Sequence, residues 1–284
     1  MEKQKRVMAV HDISCFGKCS LTVALPVLSA AGVEVSVIPT AVLSTHTGGF
    51  TGYTYRDLTE DIPKIAQHWK TLNLDFDGIY TGFLGSFEQI HLVSELFDDF
   101  KGKDTLILVD PVMADNGELY KSFSPEFPQE MVKLCQKADV IVPNMTEAAL
   151  LLNEPYRPGP YSKVYIDDLL KRLSGFGPQQ IVLTGVYFDE ENLGAAAYDR
   201  KTGDISYVLS SRIEGSYHGT GDVFASALLG AMLNGFPLSK AVSIAVNFTA
   251  GSIERTKEAK TDVRFGVNFE AGIPQFIQEL GLSQ

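Results

Sequence analysis

The sequence predicts an α/β fold, a three-layer sandwich in which a mainly parallel central sheet is flanked by helices. Short β-branched runs alternate with longer amphipathic patterns along most of the 284 residues, as in βαβ units. The β-branched runs are continuously apolar, so both faces of the sheet are expected to be buried. Because the sequence contains no repeat, low-complexity tract or linker, we predict a single domain over residues 1–284.

The individual elements follow from these patterns. Six runs predict the parallel strands, at 6–10, 33–40, 77–82, 105–110, 139–144 and 180–185. Stretches between them predict helices, at 20–32, 61–73, 87–100, 125–138 and 165–177. Two further runs joined by "KTGD" predict a hairpin over 194–211, and three closing helices are predicted at 222–234, 238–255 and 269–280.

Composition and charge narrow the class of protein. The chain is 45% hydrophobic and carries a net charge of −11, which favours a globular protein over a nucleic-acid or anionic-membrane binder. Of the three cysteines, Cys15, Cys19 and Cys135, the Cys15/Cys19 pair has no zinc or redox spacing. We expect Cys15 and Cys19 to be small buried hydrophobes; the alternative is that they line a ligand pocket. No secretory apolar region precedes His11, so a reduced, cytoplasmic location is expected.

Polar side chains follow five of the predicted strands. They are His11 and Asp12, the stretch 45–49, Asp110, Asn144 with Glu147, and Thr184 with Gly185. Because ligands bind at the carboxyl ends of parallel strands, this set indicates a phosphate-and-metal site. The alternative is ordinary turn chemistry, since turns favour the same residue types.

The stretch "HGTGDVF" (218–224) opens a long apolar helix with two glycines and a carboxylate. Gly219 and Gly221 would let backbone amides approach a phosphate at the positive end of the helix dipole. The alternative is that Thr220 is an N-cap and Asp222 simply suits the first helical turn. No P-loop, dinucleotide fingerprint, HExxH or EF-hand pattern occurs, so the expected metal is Mg²⁺ brought with a nucleotide.

Four blocks, "VDPVM", "PNMTEAALL", "IVLTG" and "HGTGDVFASALL", together resemble the ribokinase-like superfamily of small-molecule kinases over nearly the whole chain. Within it, "LSTHTGGFTGY", "YTGFLGS" and "GELY" resemble the pyridoxal kinase branch. The resemblance implies an ATP-dependent kinase that phosphorylates the 5′-hydroxymethyl group of pyridoxal, pyridoxine or pyridoxamine. It also implies ATP and Mg²⁺, a monovalent cation such as K⁺, and a homodimer.

The resemblance also implies roles for single residues. Asp222 would accept the proton of the substrate hydroxyl, beside an anion hole at Gly219, Thr220 and Gly221. The vitamer would contact Asp12, His46, Thr47, Phe83 and Tyr120. The nucleotide and its metal would contact Asp110, Asn144, Glu147, Thr184, Ile213, Gly215 and Asn247, with Glu147 and Asp110 nearest the metal.

Two expectations concern the carboxylates themselves. Asp222 is expected to be a weak base, since a helix dipole stabilises its ionised form. Asp12 stands where pyridoxal kinases often have serine, and Phe83 where many have tyrosine. We expect Asp12 to meet the vitamer and to favour a protonated nitrogen, unless it caps a local turn instead.

Other functions on the same fold remain open. One is a kinase for hydroxymethylpyrimidine, a nucleoside or a sugar, although the hydroxymethylpyrimidine kinase branch usually has cysteine in place of Asp222. Another is a catalytically silent ligand-binding protein. The presence of Asp222, Asn144 and Glu147 together disfavours a silent binder.

Overall fold

The computed structural model describes residues 3–282, which fall into two compact units. Unit 1 comprises the described parts of Met1–Gly78 and Ile213–Gln284, and unit 2 comprises Ile79–Arg212. The single domain over 1–284 stays a prediction. None of the helices in residues 3–282 is long and apolar enough to cross a membrane.

The secondary structure follows the predicted alternation of strands and helices. The strands are β1 (Arg6–Ser14), β2 (Glu34–Leu43), β3 (Tyr55–Asp57), β4 (Gly78–Thr81), β5 (Leu106–Val109), β6 (Ala114–Asp115), β7 (Glu118–Leu119), β8 (Val140–Ile141), β9 (Gln180–Val186), β10 (Asn192–Asp199) and β11 (Ile205–Ser211). The helices are α1 (Leu21–Ala30), α2 (Ile62–Thr71), α3 (Phe87–Phe100), α4 (Phe127–Cys135), α5 (Met145–Leu151), α6 (Lys163–Ser174), α7 (Thr220–Leu233), α8 (Leu238–Glu258) and α9 (Ile273–Glu279).

In unit 1, β1 and β2 run parallel, and β3 adds to the end of β2 in the antiparallel sense. Helix α7 packs on α1 and α8 and is buried along most of its length, which explains its nearly uniform apolar sequence. Strand β1 does not end at residue 10 as predicted. It continues to Ser14 through a β-bulge between His11 and Ile13.

In unit 2, the strand order is β11-β10-β9-β8-β5-β4. Strands β5, β8 and β9 are parallel to one another, and the predicted hairpin appears as β10 and β11. Strand β8 is much shorter than the predicted 139–144, because the chain leaves it to begin α5 just after Asn144. The predicted α/β class, with mainly parallel strands flanked by helices, is confirmed.

The short strands β3, β6 and β7 were not predicted. Each has only two or three residues, which is too few for an apolar period to show. The β6–β7 hairpin contains the first three residues of the "GELY" stretch, and Tyr120 follows it.

Candidate active site

The first turn of α7 carries the predicted catalytic group of unit 1. Gly219 is the N-cap in the left-handed region (φ 77°), where an added Cβ would collide with the Lys18 carbonyl oxygen. Among the described residues, no side chain caps this helix. The Thr220 hydroxyl instead donates to the Tyr217 carbonyl oxygen at 3.1 Å, and Gly221 is exposed. The turn therefore keeps the open amide geometry that an anion requires.

Asp222 is a stronger base than the sequence led us to expect. Burial raises the pKa of its carboxyl to about 7, and the nearby Asp12 adds to the rise. The backbone N–H of Ser20 stabilises the ionised form and offsets part of this rise in pKa. The expectation of a weak base was wrong, since desolvation outweighs the helix dipole here.

Asp12 occupies the bulge of β1, where it is only 5% exposed. Its Oδ1 accepts from the Ser20 hydroxyl at 2.6 Å, and its Oδ2 accepts from the Ser14 hydroxyl at 3.2 Å. Bulges redirect side chains next to active sites, which is how Asp12 comes close enough to act on Asp222. The expected contact of Asp12 with the vitamer stays a prediction.

His46 is held rigidly at the loop that follows β2. Its Nδ1 accepts from the Gly48 backbone N–H at 3.1 Å, so Nε2 donates to the Arg264 carbonyl oxygen at 2.6 Å. The neighbouring Thr47 is exposed. The His218 ring lies 5.1 Å from the His46 ring and rests on Gly48, where a Cβ would collide with it. The loop after β2 and the start of α7 are thus in direct contact.

An aromatic cluster beside His46 was missed by the sequence analysis. Phe50 packs edge-on against His46 at 5.0 Å and stacks on Phe265, and the half-exposed Phe16 contacts both phenylalanines. The three phenylalanines are about 34 to 249 residues apart in sequence, so no local pattern brings them together.

The burial of the Cys15 side chain differs from what the sequence predicted. Cys15 is exposed, so its interpretation as a small buried hydrophobe was wrong. Cys19 is partly buried beside Gly219, and burial together with Asp222 and Asp12 raises the pKa of its thiol.

Of the predicted nucleotide residues of unit 1, Gly215 and Asn247 are exposed and Ile213 is half-buried. Their role stays a prediction.

The strand ends of unit 2 come together as predicted. Asn144 and Thr184 are bridged in parallel register, with the Thr184 N–H donating to the Pro143 carbonyl oxygen at 3.0 Å. Asp110 follows β5, the neighbour of β8, and its N–H donates to the Thr81 carbonyl oxygen at 3.0 Å. Three of the predicted residues therefore share one sheet edge.

Glu147 forms a complete capping box with Asn144 at the start of α5. The Asn144 Oδ1 accepts from the N–H groups of Thr146 and Glu147, and the Glu147 Oε2 accepts from the Asn144 N–H at 2.9 Å. The other oxygen, Oε1, accepts from the Met113 N–H at 3.1 Å. Burial raises the pKa of this carboxyl.

The same helical turn anchors the β6–β7 hairpin. Asn144 Nδ2 donates to the Ala114 carbonyl oxygen at 2.8 Å, and Thr146 Oγ1 accepts from the Gly117 N–H at 2.9 Å. Tyr120 follows the hairpin directly, and its ring stacks on Phe123, which also packs on Phe83. Phe123 thus links two residues predicted for the vitamer, and the sequence analysis missed it.

The residues of this region do not form a ready-made metal cage. Among residues 3–282, no three His, Cys, Asp or Glu side chains converge on a possible ion position. Both Glu147 oxygens already accept a backbone amide, so the orientation of this carboxylate is set by the protein and each oxygen keeps less capacity for an ion. The donor set fits Mg²⁺ only as an ion that keeps water and nucleotide oxygens as its main ligands.

Comparison with known proteins identifies the family of this chain. A family model described as phosphomethylpyrimidine kinase matches residues 25–266. The chain belongs to the phosphomethylpyrimidine kinase family. The expected place in the ribokinase-like superfamily, and the expectation of a kinase, are confirmed.

Two solved structures share the fold of this chain over nearly its whole length, and a further relative matches it in sequence. A putative phosphomethylpyrimidine kinase from Bacteroides thetaiotaomicron, crystallised with pyridoxal, is 40% identical, with a TM-score of 0.91 over 99% of this chain and 97% of that one. Pyridoxal kinase from Lactobacillus plantarum is 32% identical, with a TM-score of 0.89 over 97% and 98% of the two chains. A pyridoxal kinase from Dictyostelium discoideum is 26% identical over 92% and 89%. The predicted pyridoxal kinase branch is confirmed.

Proposed function

We propose that the chain transfers the γ-phosphoryl group of ATP to the 5′-hydroxymethyl group of a B6 vitamer: pyridoxal, pyridoxine or pyridoxamine. The observation that carries the proposal is the Asp222 carboxylate at the glycine-flanked start of α7, with its pKa raised to about 7. Relatives named pyridoxal kinase, and the pyridoxal in the Bacteroides structure, support this acceptor.

The chemistry needs a proton acceptor and stabilised charge more than covalent catalysis. The hydroxymethyl oxygen attacks the γ-phosphorus, the bond from phosphorus to the bridging oxygen of ADP breaks, and the hydroxyl proton passes to Asp222. A carboxylate with a pKa near neutrality is well matched to this task at physiological pH. The amides of Gly219, Thr220 and Gly221 would stabilise charge on the phosphoryl oxygens as it moves.

In unit 1, the vitamer ring is proposed to contact His46 and Thr47, with Asp12 nearby. The fixed tautomer of His46 supports this, because a rigid side chain orients a ligand at little entropic cost. In unit 2, the proposed vitamer contacts are Phe83 and Tyr120.

The nucleotide is proposed to contact Asn144, Thr184 and Asp110 in unit 2, and Ile213, Gly215 and Asn247 in unit 1. Mg²⁺ bound with the nucleotide would neutralise charge on its phosphates. Glu147 would act on the ion mainly by holding Asn144 and the Met113 backbone in place. A monovalent cation such as K⁺, a homodimer, a single domain and a cytoplasmic location complete the proposal.

The experiment is ADP release, measured with a panel of the three B6 vitamers, hydroxymethylpyrimidine and sugars. We expect at least one vitamer to support turnover well above the other compounds, and Asp222→Asn to lower that turnover by about 10²–10⁴-fold. Turnover confined to a sugar, or absent with every compound in a well-folded protein, would contradict the proposal.

A second candidate is a hydroxymethylpyrimidine kinase. The description of the matching family and the name of the Bacteroides relative favour it. Asp222 disfavours it, since that branch usually has cysteine at this position. Comparison of kcat/KM for pyridoxal and hydroxymethylpyrimidine in the same panel separates the two.

A further inference from the structure

Two aromatic residues of unit 2 that are proposed to contact the vitamer share one neighbour. The centroid of the Phe123 ring lies 5.6 Å from that of Phe83 and 6.4 Å from that of Tyr120. Phe83 follows β4 and Tyr120 follows the β6–β7 hairpin, so the two belong to segments about 37 residues apart in sequence. Phe123 therefore joins two separate segments by ring contacts.

The Phe123 ring is itself fixed by the start of α4. It stacks on the Phe127 ring with a centroid distance of 3.8 Å and an interplanar angle of 14°. Phe127 is the first residue of α4 and is only 1% exposed. Its ring also lies 5.7 Å from that of Phe87, the first residue of α3. An aromatic column thus runs from Tyr120 through Phe123 and Phe127 to Phe87.

Backbone hydrogen bonds hold the two ends of the hairpin segment. The Phe123 N–H donates to the Tyr120 carbonyl oxygen at 2.9 Å, and the Tyr120 N–H donates to the Met113 carbonyl oxygen at 2.9 Å. The Met113 N–H in turn donates to Glu147 Oε1 at 3.1 Å. The base of the hairpin is thus fixed by α5, whereas the segment that follows it is packed against α4 by the Phe123 ring.

The loop after β4 has a similar division between backbone and ring. The Gly85 N–H donates to Gln89 Oε1 at 2.7 Å, and the Ser86 hydroxyl caps α3 by accepting the Gln89 N–H at 3.2 Å. These bonds hold the backbone of the loop. The half-buried Phe83 ring packs on Phe123. Since phenylalanine has no hydroxyl to form a hydrogen bond, the orientation of this ring depends on its packing.

We propose that Phe123 is a positioning residue for vitamer recognition, which sets the orientations of Phe83 and Tyr120 toward the vitamer ring. The inference deepens the proposed function and rests on it. Aromatic contacts act on the face of the pyridine ring, which all three vitamers have in common, and not on the substituent that distinguishes them. Phe123 therefore sets the strength of vitamer binding without setting the preference among vitamers.

The first measurement needs neither vitamer nor nucleotide. Backbone amide exchange, followed by NMR, reports on the Tyr120 and Gly117 N–H groups, whose hydrogen bonds hold the hairpin. In Phe123→Leu we expect both amides to exchange about 2–12-fold faster, since the loss of an aromatic pair raises the population of the open hairpin by that factor. Phe87→Leu, the same change at the exposed far end of the aromatic column, should leave both rates as in wild type.

The second measurement is the kinetics of phosphoryl transfer. Phe123→Leu should raise KM by about 2–12-fold, equally for all three vitamers and with kcat little changed, because a contact made equally in the bound substrate and the transition state affects binding alone. Phe123→Tyr keeps the ring and should restore the wild-type KM. Combining Phe83→Leu with Phe123→Leu should raise KM by less than the product of the two single effects, since Phe123 acts through Phe83.

Three outcomes would overturn the inference. They are unchanged exchange and unchanged KM in folded Phe123→Leu, equal effects in Phe87→Leu, and a fall in kcat with KM unchanged. If Phe123→Leu does not fold, Phe123→Met, which stays apolar and loses the ring, replaces it in both measurements. Faster amide exchange in a protein that phosphorylates no vitamer would contradict the proposed function and not the packing role of Phe123, so the two failures are distinguishable.

Discussion

Helices α5 and α7 begin with the same pattern and use it in opposite ways. Each has an acid at the third helical position, Glu147 in α5 and Asp222 in α7. In α5, the N-cap Asn144 and Glu147 satisfy each other in a capping box, which closes the helix end. In α7, the N-cap is Gly219, which has no side chain to offer. The N-cap residue therefore decides whether an acidic first turn is structural or available for chemistry.

Burial raises the pKa of both acids, so a raised pKa alone does not separate the two roles. What separates them is the set of hydrogen-bond donors. Glu147 accepts the backbone N–H groups of Met113 and Asn144, one with each oxygen, whereas the ionised form of Asp222 is stabilised by the backbone N–H of Ser20. Variants of both helix ends test this division.

The largest effect is expected for Asp222→Asn. The variant keeps the shape of the side chain and loses the proton acceptor, so kcat should fall by about 10²–10⁴-fold, as measured by ADP release. Nucleotide binding by calorimetry should be nearly unchanged. Near-normal turnover in a folded variant would remove Asp222 from the catalytic role.

The same variant should gain stability at alkaline pH. The folded pKa of about 7 lies above the ordinary aspartate pKa of 3.8, so the folded state disfavours the charge. The unfolding free energy of the wild type therefore falls as the pH rises from about 4 to about 7, and it falls no further from this cause above pH about 7. Thermal unfolding should show Asp222→Asn more stable than wild type at pH about 8, with the difference vanishing near pH 4. If Asp222→Asn were less stable than wild type at alkaline pH, the charge of Asp222 would not be destabilising, which would contradict the raised pKa.

The next effect concerns the pH dependence of turnover. Because Asp222 must be ionised to accept a proton, kcat/KM should fall about tenfold for each pH unit below about 7. Rates measured between pH 5 and 9 check this, after correction for the ionisation of the vitamer. Glu147→Gln is the control, and its acid limb should coincide with that of wild type. If the acid limb of the kcat/KM profile disappeared in Glu147→Gln, the group that titrates would be Glu147 and not Asp222.

Glu147→Gln itself should act on stability. An amide cannot accept from both the Met113 and Asn144 N–H groups, so one donor is left unsatisfied, at a cost of about 1–3 kcal/mol in unfolding free energy. Urea denaturation measures the loss, and vitamer binding without ATP should be unchanged. Unchanged stability with a sharply raised Mg²⁺ requirement would show that the carboxylate is a metal ligand.

The smallest effect is expected for Thr146→Val. It removes the acceptor for the Gly117 N–H and loosens the hairpin that precedes Tyr120, which should lower stability by about 0.5–1.5 kcal/mol. Its effect on turnover should be a rise in KM for the vitamer with little change in kcat, and Thr146→Ser should restore wild-type behaviour. A large fall in kcat would mean that α5 takes part in the chemistry.

The sequence by itself determined the α/β class, most element positions and the residue types of the site. Apolar periods and strand-end residues are local signals, and they sufficed to place Asn144 and Thr184 at one sheet edge. The N-x-x-E spacing of Asn144 and Glu147 is equally local, but it fits a metal ligand and a capping box alike.

The tertiary structure alone decided how the carboxylates behave. The bulge that turns Asp12 toward Ser20 depends on the pairing of β1 with β2, and the pKa of Asp222 depends on burial by segments distant in sequence. Desolvation and repulsion between charges are properties of the packed state, so residue order does not reveal them. For this reason the sequence predicted a weak base at Asp222, and only the folded chain corrected it.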